Sequence, residues 1–130
     1  MRQNNSLFIM KIIPMLRCND LKESAAFYTG ILDFTLKYPD EADNEWSIDL
    51  INGDAEILLT SSDGTPRIAV YIMVDDVRLL FEKYVSRGLK FPDKPNSPVH
   101  HGPIDQTWGL KEFYVDDPNG NTLRFASPIV

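Results

Sequence analysis

The amino-acid sequence predicts an α+β fold in which two βαβββ modules form a curved, half-open mixed β-sheet around a concave cleft. The first observation behind this prediction is a repeat: a strand, an aspartate that begins a helix and several short strands follow one another twice. The two aspartates, Asp20 and Asp76, stand 56 residues apart, and a period that long with several elements in it indicates a duplicated unit. The second observation is the turn Asp117-Pro118-Asn119-Gly120, which predicts a β-hairpin near the C-terminus. Two sheets that each bury one face under their own helix leave the other faces free to form a cleft.

In the first module, one helix is predicted between short strands. Residues 12–18 have strand character, and Asn19-Asp20 ends the strand. Asp20 followed three residues later by Glu23 is a capping-box pattern, in which both carboxylates satisfy free N–H groups of the first helical turn. The apolar stripe at helical spacing comprises Leu21, Ala25, Tyr28 and Leu32. Three strands follow at residues 34–38, 46–51 and 55–60, and Asn52-Gly53-Asp54 forms the turn between the last two.

The second module repeats this order but includes a long proline-rich segment. A strand at residues 67–74 leads to a helix that Asp75-Asp76 caps and Gly88 ends. The apolar stripe of this helix comprises Val77, Leu80, Phe81, Tyr84 and Val85. Another strand is predicted to begin at residues 89–91. Residues 92–109 contain four prolines, which exclude a regular helix or a central strand, and a loop of this length is usually a functional lid or cover.

The last hairpin places its side chains on two chemically different faces. A type I turn with a glycine bulge pairs Asp117 with Asn121. This register predicts an apolar face that packs against the helices, formed by the pairs Val115–Leu123 and Phe113–Phe125. The opposite, concave face then carries Glu112, Tyr114, Thr122 and Arg124. A charged pair beside a tyrosine on this face is the first candidate for a functional site.

Composition and charge favour one globular domain over residues 1–130, with modules at about 11–62 and 67–127. The chain is 43% hydrophobic and 25% charged, as is typical of globular proteins. Its formal net charge of −6 repels phosphate backbones, so nucleic acid is not an expected partner. The apolar run at residues 7–10 is too short for a membrane span and lacks the features of a secretion signal, which predicts a cytoplasmic protein with no membrane partner. The single cysteine, Cys18, excludes an intrachain disulfide and is expected to be a small buried hydrophobe.

Several chemically suggestive residues also have structural interpretations. Glu112 and Arg124 form either an acid–base or substrate-binding pair or an ion pair across the sheet. His100 and His101 are either part of a metal site or an exposed pair in a loop, and the second is favoured because no carboxylate partner is identifiable. Trp108 suits a ligand platform and a subunit interface equally well. Structural roles are expected for the remaining residues: turn and helix capping for Asp75, Asp76, Asp116 and Asp117, and core packing for Tyr28 and Tyr84.

Two stretches of the chain carry a resemblance to a known superfamily. Residues 108–125, from Trp108-Gly109 through the hairpin, and residues 20–34, with Phe27-Tyr28 and the sequence GILDF, resemble the vicinal oxygen chelate superfamily of glyoxalases, bleomycin resistance proteins and dioxygenases. The resemblance spans residues 12–126 and implies the paired βαβββ fold. Because this superfamily includes isomerases, dioxygenases, transferases and binding proteins, the fold by itself does not identify an activity.

In the metalloenzymes of this superfamily, strands one, four, five and eight each supply one metal ligand. The resemblance places these positions at Ile13, Leu58, Ala69 and Arg124. None of these side chains is a ligand for a divalent cation, which binds imidazole, carboxylate or thiolate groups, and Arg124 introduces a permanent positive charge. A different register along this strand brings Glu56 to the fourth-strand position but supplies only one ligand of four. We therefore expect no metal and no other cofactor.

The resemblance that remains is to the metal-free bleomycin-resistance branch, and it implies a homodimer that binds a small molecule in grooves between its subunits. The resemblance assigns Trp108 to the groove wall, where an aromatic surface suits a flat heteroaromatic ligand. The other expected ligand-binding residues are Phe34, Tyr38, Trp46, Tyr71, Glu112, Tyr114 and Arg124. The acidic net charge favours a ligand with a cationic part.

Two enzyme hypotheses remain open at this point. One is a glyoxalase-superfamily enzyme, of lyase, isomerase or dioxygenase type, that uses Glu112, Tyr114 and Arg124 for metal-independent acid–base chemistry on a small metabolite. The other is a metal centre built from unconventional ligands such as His100, His101 and Glu112. The ligand-binding homodimer is favoured over both because none of the four family metal positions carries a metal ligand.

Overall fold

The computed structural model describes residues 10–129 and contains two four-stranded sheets, each with one helix. The first module consists of β1 (Met15–Arg17), α1 (Leu21–Gly30), β2 (Thr35–Leu36), β3 (Ser47–Asn52) and β4 (Ala55–Thr60). The second module consists of β5 (Ala69–Met73), α2 (Val77–Ser86), β6 (Ile104–Asp105), β7 (Leu110–Asp116) and β8 (Thr122–Pro128). Two short 3₁₀ helices span Pro39–Asp43 and Pro98–His100.

The two sheets share one topology, which confirms the predicted α+β fold of paired βαβββ modules. Their strand orders are β1-β4-β3-β2 and β5-β8-β7-β6, and the first strand of each module runs parallel to the last. Met15 lies beside Leu58 in the first sheet, and Tyr71 lies beside Arg124 at the equivalent place in the second. Between residues 10 and 129, no helix combines the length and the apolar character that crossing a membrane requires.

Both helices begin where the aspartates predict. The Asp20 carboxylate accepts a hydrogen bond from the Glu23 backbone N–H at 3.0 Å, and the Asp76 carboxylate accepts one from Leu79 at 3.0 Å. Each side chain thereby satisfies one of the N–H groups that a helix leaves free at its start. Of the predicted pair Asp75-Asp76, Asp76 is the cap.

The register of the C-terminal hairpin is confirmed residue by residue. The Asp117 N–H donates to the Asn121 carbonyl at 2.8 Å, and Gly120 has the positive φ of 84° that the bulge requires. Phe113 pairs with Phe125 and Val115 with Leu123, and all four are buried on the helix side of the sheet. Tyr114 therefore lies opposite Arg124 on the other face.

The strand predicted at residues 89–91 is wrong, and several predicted strands are too long. Residues 89–91 are irregular because the Leu89 N–H closes the end of α2 on the Tyr84 carbonyl and the Phe91 ring stacks on Phe81 at 5.9 Å. The fourth strand of this sheet is instead β6, a two-residue edge strand inside the proline-rich segment. The first strand has three residues rather than the seven of 12–18.

The two modules meet through buried or partly buried hydrogen bonds, two of which lie near the hairpin turn. The Tyr28 hydroxyl of α1 donates to the Asp117 carboxylate at 2.8 Å, and the Asn121 side-chain amide donates to the Arg17 carbonyl at 2.8 Å. Tyr84 of α2 donates to the Leu32 carbonyl at 3.3 Å. Tyr28, Tyr84 and Cys18 all lie in the core, as expected. The apolar core occupies the helix side of both sheets, so the opposite faces are available for a site.

We expect Tyr28→Phe to lower the free energy of unfolding by about 2 kcal/mol, because a buried hydroxyl that donates to a carboxylate contributes more than one that donates to a neutral carbonyl. Tyr84→Phe is the matched control, and its weaker bond to Leu32 predicts a loss of about 1 kcal/mol. Urea unfolding of both variants measures the two losses. Equal losses, or a greater loss for Tyr84→Phe, would show that the Tyr28–Asp117 bond does not join the modules.

Candidate functional site

A buried carboxylate lies on the concave face of the second sheet, opposite the helices. Glu112 on β7 has 0% of its surface exposed. Its Oε2 accepts hydrogen bonds from the Trp108 Nε1–H at 2.7 Å and the Tyr71 hydroxyl at 2.8 Å, and its Oε1 accepts from the Tyr114 hydroxyl at 3.1 Å and Arg124 Nη2 at 3.4 Å. We call these five residues the Glu112 cluster. It unites five of the eight predicted ligand-binding residues, including all three candidate catalytic ones.

Strand pairing explains how these residues meet. Arg124 on β8 lies between Tyr71 on β5 and Tyr114 on β7, because it pairs with both. Glu112 points to the same side as Tyr114, since side chains two residues apart in a strand share a face. Trp108 lies in the turn before β7, where the next residue, Gly109, adopts a φ of 88°. This turn directs the Trp108 indole N–H back toward Glu112.

The Arg124 guanidinium is held between two aromatic rings. Its central carbon lies 4.5 Å from the centroid of the Tyr71 ring and 4.4 Å from that of Tyr114, so it makes a cation–π contact on each face. Nη2 also contacts the Tyr114 hydroxyl. The guanidinium plane and the buried carboxylate therefore hold each other in one orientation.

The tyrosines of the cluster remain hydrogen-bond donors. Partial burial and the Glu112 carboxylate raise the pKa of Tyr71 above its ordinary value. Burial also raises the pKa of Tyr114, against the opposing charge of Arg124. Because an ionised carboxylate has about four acceptor positions, four donors leave Glu112 without a free one. This arrangement orients the surrounding side chains and is poorly suited to proton abstraction from a substrate.

His100 differs from the exposed loop residue that the sequence predicts. It is only 8% exposed, its Nδ1 lies 2.6 Å from the Ser97 hydroxyl, and its Nε2 lies 2.9 Å from Asp116 on β7. The Tyr114 ring contacts the imidazole edge-on at 5.6 Å. Ser97 immediately precedes the 3₁₀ helix that ends at His100, so its contact is local in sequence. The carboxylate partner that the sequence did not reveal is Asp116, and His101 is the exposed member of the pair.

Asp116 was expected to cap the hairpin turn, but it instead connects the proline-rich segment to β7. Its carboxylate contacts Lys94, His100 and Thr122. Although burial opposes the effect, these three hydrogen bonds hold the pKa of Asp116 below its usual value. Asp117 is the residue that caps the turn, through the N–H groups of Asn119 and Asn121. The sequence contained a signal for this position: Glu112, Tyr114 and Asp116 are spaced two residues apart along β7, so their side chains share one face.

The metal positions implied by the resemblance do not fit a divalent cation. Leu58 has no donor atom, and Arg124 brings a guanidinium to the equivalent place in the second sheet. Ile13 and Ala69 are likewise without donors. Within residues 10–129, no three His, Cys, Asp or Glu side chains are grouped in a way that could hold a metal ion, so His100, His101 and Glu112 do not form a centre.

Three predicted ligand-binding residues lie outside the Glu112 cluster. Phe34 is a correction: it is 4% exposed and packs edge-on against Tyr28 at 5.8 Å, in the core below α1. Tyr38 and Trp46 are exposed in the first module, next to β2 and β3. Their aromatic character marked them as candidates, but neither makes a hydrogen bond to the cluster's described side chains.

We expect Glu112→Gln to lower the free energy of unfolding by about 3 kcal/mol, because the change turns an acceptor into a donor among donors and leaves Arg124 without its counter-charge. Glu56→Gln is the matched control. The Glu56 side chain is also buried, but its partners Lys11 and Lys37 are partly exposed and can return to water, so we expect a smaller loss. Urea unfolding distinguishes them, and a Glu112→Gln loss no greater than that of Glu56→Gln would contradict the organising role of Glu112.

Known proteins share this architecture. The family model for the Glyoxalase/Bleomycin resistance protein/Dioxygenase superfamily matches residues 11–125. A bleomycin resistance determinant encoded on the transposon Tn5 is 21% identical, with 94% of this chain and 100% of that chain covered and a TM-score of 0.74. A bleomycin-binding protein complexed with bleomycin is 20% identical, with 93% and 100% covered and a TM-score of 0.73.

A lactoylglutathione lyase from Agrobacterium tumefaciens, at 18% identity, 90% and 92% coverage and a TM-score of 0.63, is also similar. No curated protein matches the chain by sequence. At these identities the solved structures show the fold alone, whereas the family model spans most of the chain. The chain belongs to the glyoxalase/bleomycin resistance protein/dioxygenase superfamily.

Proposed function

We propose that this chain is a metal-independent binding protein whose homodimer sequesters a small aromatic molecule in grooves lined by the Glu112 cluster. The proposal places it in the cytoplasm, with the ligand and a second copy of the chain as its partners. Its mechanism is mass action: binding lowers the free concentration of the ligand and thereby protects the ligand's target.

The orientation of Trp108 carries the proposal. The residue is 53% exposed, although its indole N–H is held at 2.7 Å by the buried Glu112 carboxylate. A large aromatic ring fixed at its polar edge and open on its surface is a preorganised platform for another ring. Preorganisation matters because a ligand then orders few side chains when it binds, and stacking of this kind contributes about 1–3 kcal/mol per ring.

Exposed apolar side chains on the concave faces support a homodimer. Met15 on β1, Tyr71 and Met73 on β5 and Ile104 on β6 are each at least 40% exposed on these faces. An open apolar surface of this kind is typical of an interface, and closed two-fold pairing is the commonest way in which one chain covers its own surface. A groove between two copies would then enclose Trp108.

Contacts within the cluster favour binding over catalysis. The acid–base hypothesis needs Glu112 or Tyr114 to exchange a proton with a substrate, yet both are engaged with each other and with Arg124. The known relatives are compatible with either outcome, since similar folds include both a bleomycin-binding protein and a lyase. Bleomycin, which a protein of similar fold binds, and flat heteroaromatic compounds, which suit the Trp108 ring, are therefore the first ligands to test.

We expect sedimentation equilibrium to show a dimer at micromolar concentration, and Met73→Glu to shift it to monomer because a charge would be buried in the interface. Leu79→Glu is the matched control, since Leu79 is an exposed leucine on α2, away from the concave face. A monomeric parent protein, or equal effects of the two variants, would contradict the proposed dimer.

We expect metal-free bleomycin to bind the chelator-treated dimer at one ligand per chain, and Trp108→Ala to weaken binding about tenfold or more through the lost stacking. Calorimetry measures both without relying on the deleted fluorophore. Trp46→Ala is the control, because Trp46 is exposed but lies outside the cluster. Near-stoichiometric zinc, nickel, iron or manganese in the purified protein would contradict metal independence, and unchanged affinity in Trp108→Ala would remove Trp108 from the site.

A further inference from the structure

The charges of the Glu112 cluster are exposed to different extents. The Glu112 side chain has no exposed surface, whereas 28% of the Arg124 side chain remains accessible. The carboxylate lies below the surface with four donors around it. Of the two charges in the cluster, the one that an incoming molecule can reach is therefore the positive one, despite the net charge of −6 of the whole chain.

Arg124 also keeps hydrogen-bonding capacity that the protein does not use. A guanidinium has five N–H donors, and the contacts of Arg124 with Glu112 and Tyr114 both involve Nη2. Nε is buried without a partner, and Nη1 has no hydrogen-bond partner among residues 10–129. Because a tyrosine ring lies close to the guanidinium on either side, the free Nη1 N–H groups at its edge are the donors that an acceptor from solution would meet.

The aromatic platform and this positive edge are neighbours. Trp108 Nε1 donates to one oxygen of the Glu112 carboxylate and Arg124 Nη2 to the other, so the two groups are separated by the width of one carboxylate and two hydrogen bonds. A ligand whose ring lies on the Trp108 indole would therefore bring a directly attached substituent to Arg124.

We infer that the ligand is an aromatic molecule with an anionic oxygen group, such as a carboxylate, attached to its ring system, and that Arg124 binds this oxygen through Nη1. The inference rests on the proposed function, because it names the ligand class of the same groove. It replaces the cationic ligand that net charge favours. At 0.15 M salt, charges more than about 8 Å apart are largely screened, so the contact with Arg124 outweighs the repulsion of distant acidic residues. Planar oxygen anions suit the guanidinium edge because charge-assisted hydrogen bonds of this kind are short and directional.

Three probes with one ring system and different charges test the inference. These are naphthalene-2-carboxylate, naphthalene-2-carboxamide and naphthalen-2-ylmethylammonium, each titrated into the chelator-treated dimer by calorimetry at 0.15 M salt. The carboxylate is expected to bind about tenfold more tightly than the amide, and the ammonium compound most weakly. An amide that binds as tightly as the carboxylate, or an ammonium compound that binds best, overturns the inference.

Variants of Arg124 identify the group responsible. In Arg124→Gln the ratio of the affinity for the carboxylate to the affinity for the amide is expected to fall to about one. Since this change leaves the buried Glu112 carboxylate without its counter-charge, the double variant Glu112→Gln with Arg124→Gln provides a neutral form in which the same ratio is measured. Arg78→Gln is the control: it removes one positive charge from an exposed position on α2 and should leave the ratio unchanged. A preference that survives in both Arg124 variants overturns the assignment to Arg124.

The two proposals fail in different ways. If the amide binds as tightly as the carboxylate and its binding depends on Trp108, the aromatic groove is supported and the anionic ligand class is contradicted. If none of the three probes binds at millimolar concentration while bleomycin does, the anionic ligand class is overturned and the groove is not. If bleomycin also fails to bind, the groove is overturned with it.

Discussion

Burial of a carboxylate is the constraint on which the concave face of the second sheet depends. Glu112 has no exposed surface, and an unpaired charge in that position would destabilise the fold by several kcal/mol. Its four partners come from three strands and a turn. Satisfying one charge thus fixes Tyr71, Trp108, Tyr114 and Arg124 at the same time, which is how a small open sheet acquires a rigid, chemically defined surface.

Because the βαβββ unit is duplicated, equivalent positions in the two sheets can be compared, and they differ in chemistry. Leu58 and Met15 stand side by side in the first sheet at the place where Arg124 and Tyr71 stand side by side in the second. The first module has an apolar pair there, and the second has a cation stacked on a phenol. At this place the first sheet therefore has apolar side chains, while the second has directional contacts. A groove between two copies of the chain would combine both.

Much of the fold was predictable because its signals are local. Asp20 and Asp76 mark the helix starts, and the alternation along the last hairpin defines which side chains face the core. The strand expected at residues 89–91 failed because the Phe91 ring stacks on Phe81, and strand propensity does not include that tertiary contact. Phe34 failed as a ligand-binding residue for a related reason: its aromatic ring serves the core equally well.

The site was predictable only in part. Alternation placed Glu112, Tyr114 and Arg124 on one face, but it does not measure how deeply a side chain is buried or how many donors surround it. The contact of His100 with Asp116 links a loop to a strand, and the sequence contains no local pattern for it. Convergence of several donors on Glu112 is likewise a property of the folded sheet.

Hydrogen exchange of the two indole N–H protons tests the central role of Glu112 most directly. In a ¹⁵N-resolved NMR experiment, the Trp108 proton should exchange far more slowly than that of Trp46, because it is bonded to a buried carboxylate. Glu112→Ala, which removes both acceptor oxygens, should abolish the difference. Equal exchange of the two indoles in the parent protein would mean that Trp108 is not held by Glu112, and the account of a preorganised binding surface would fail.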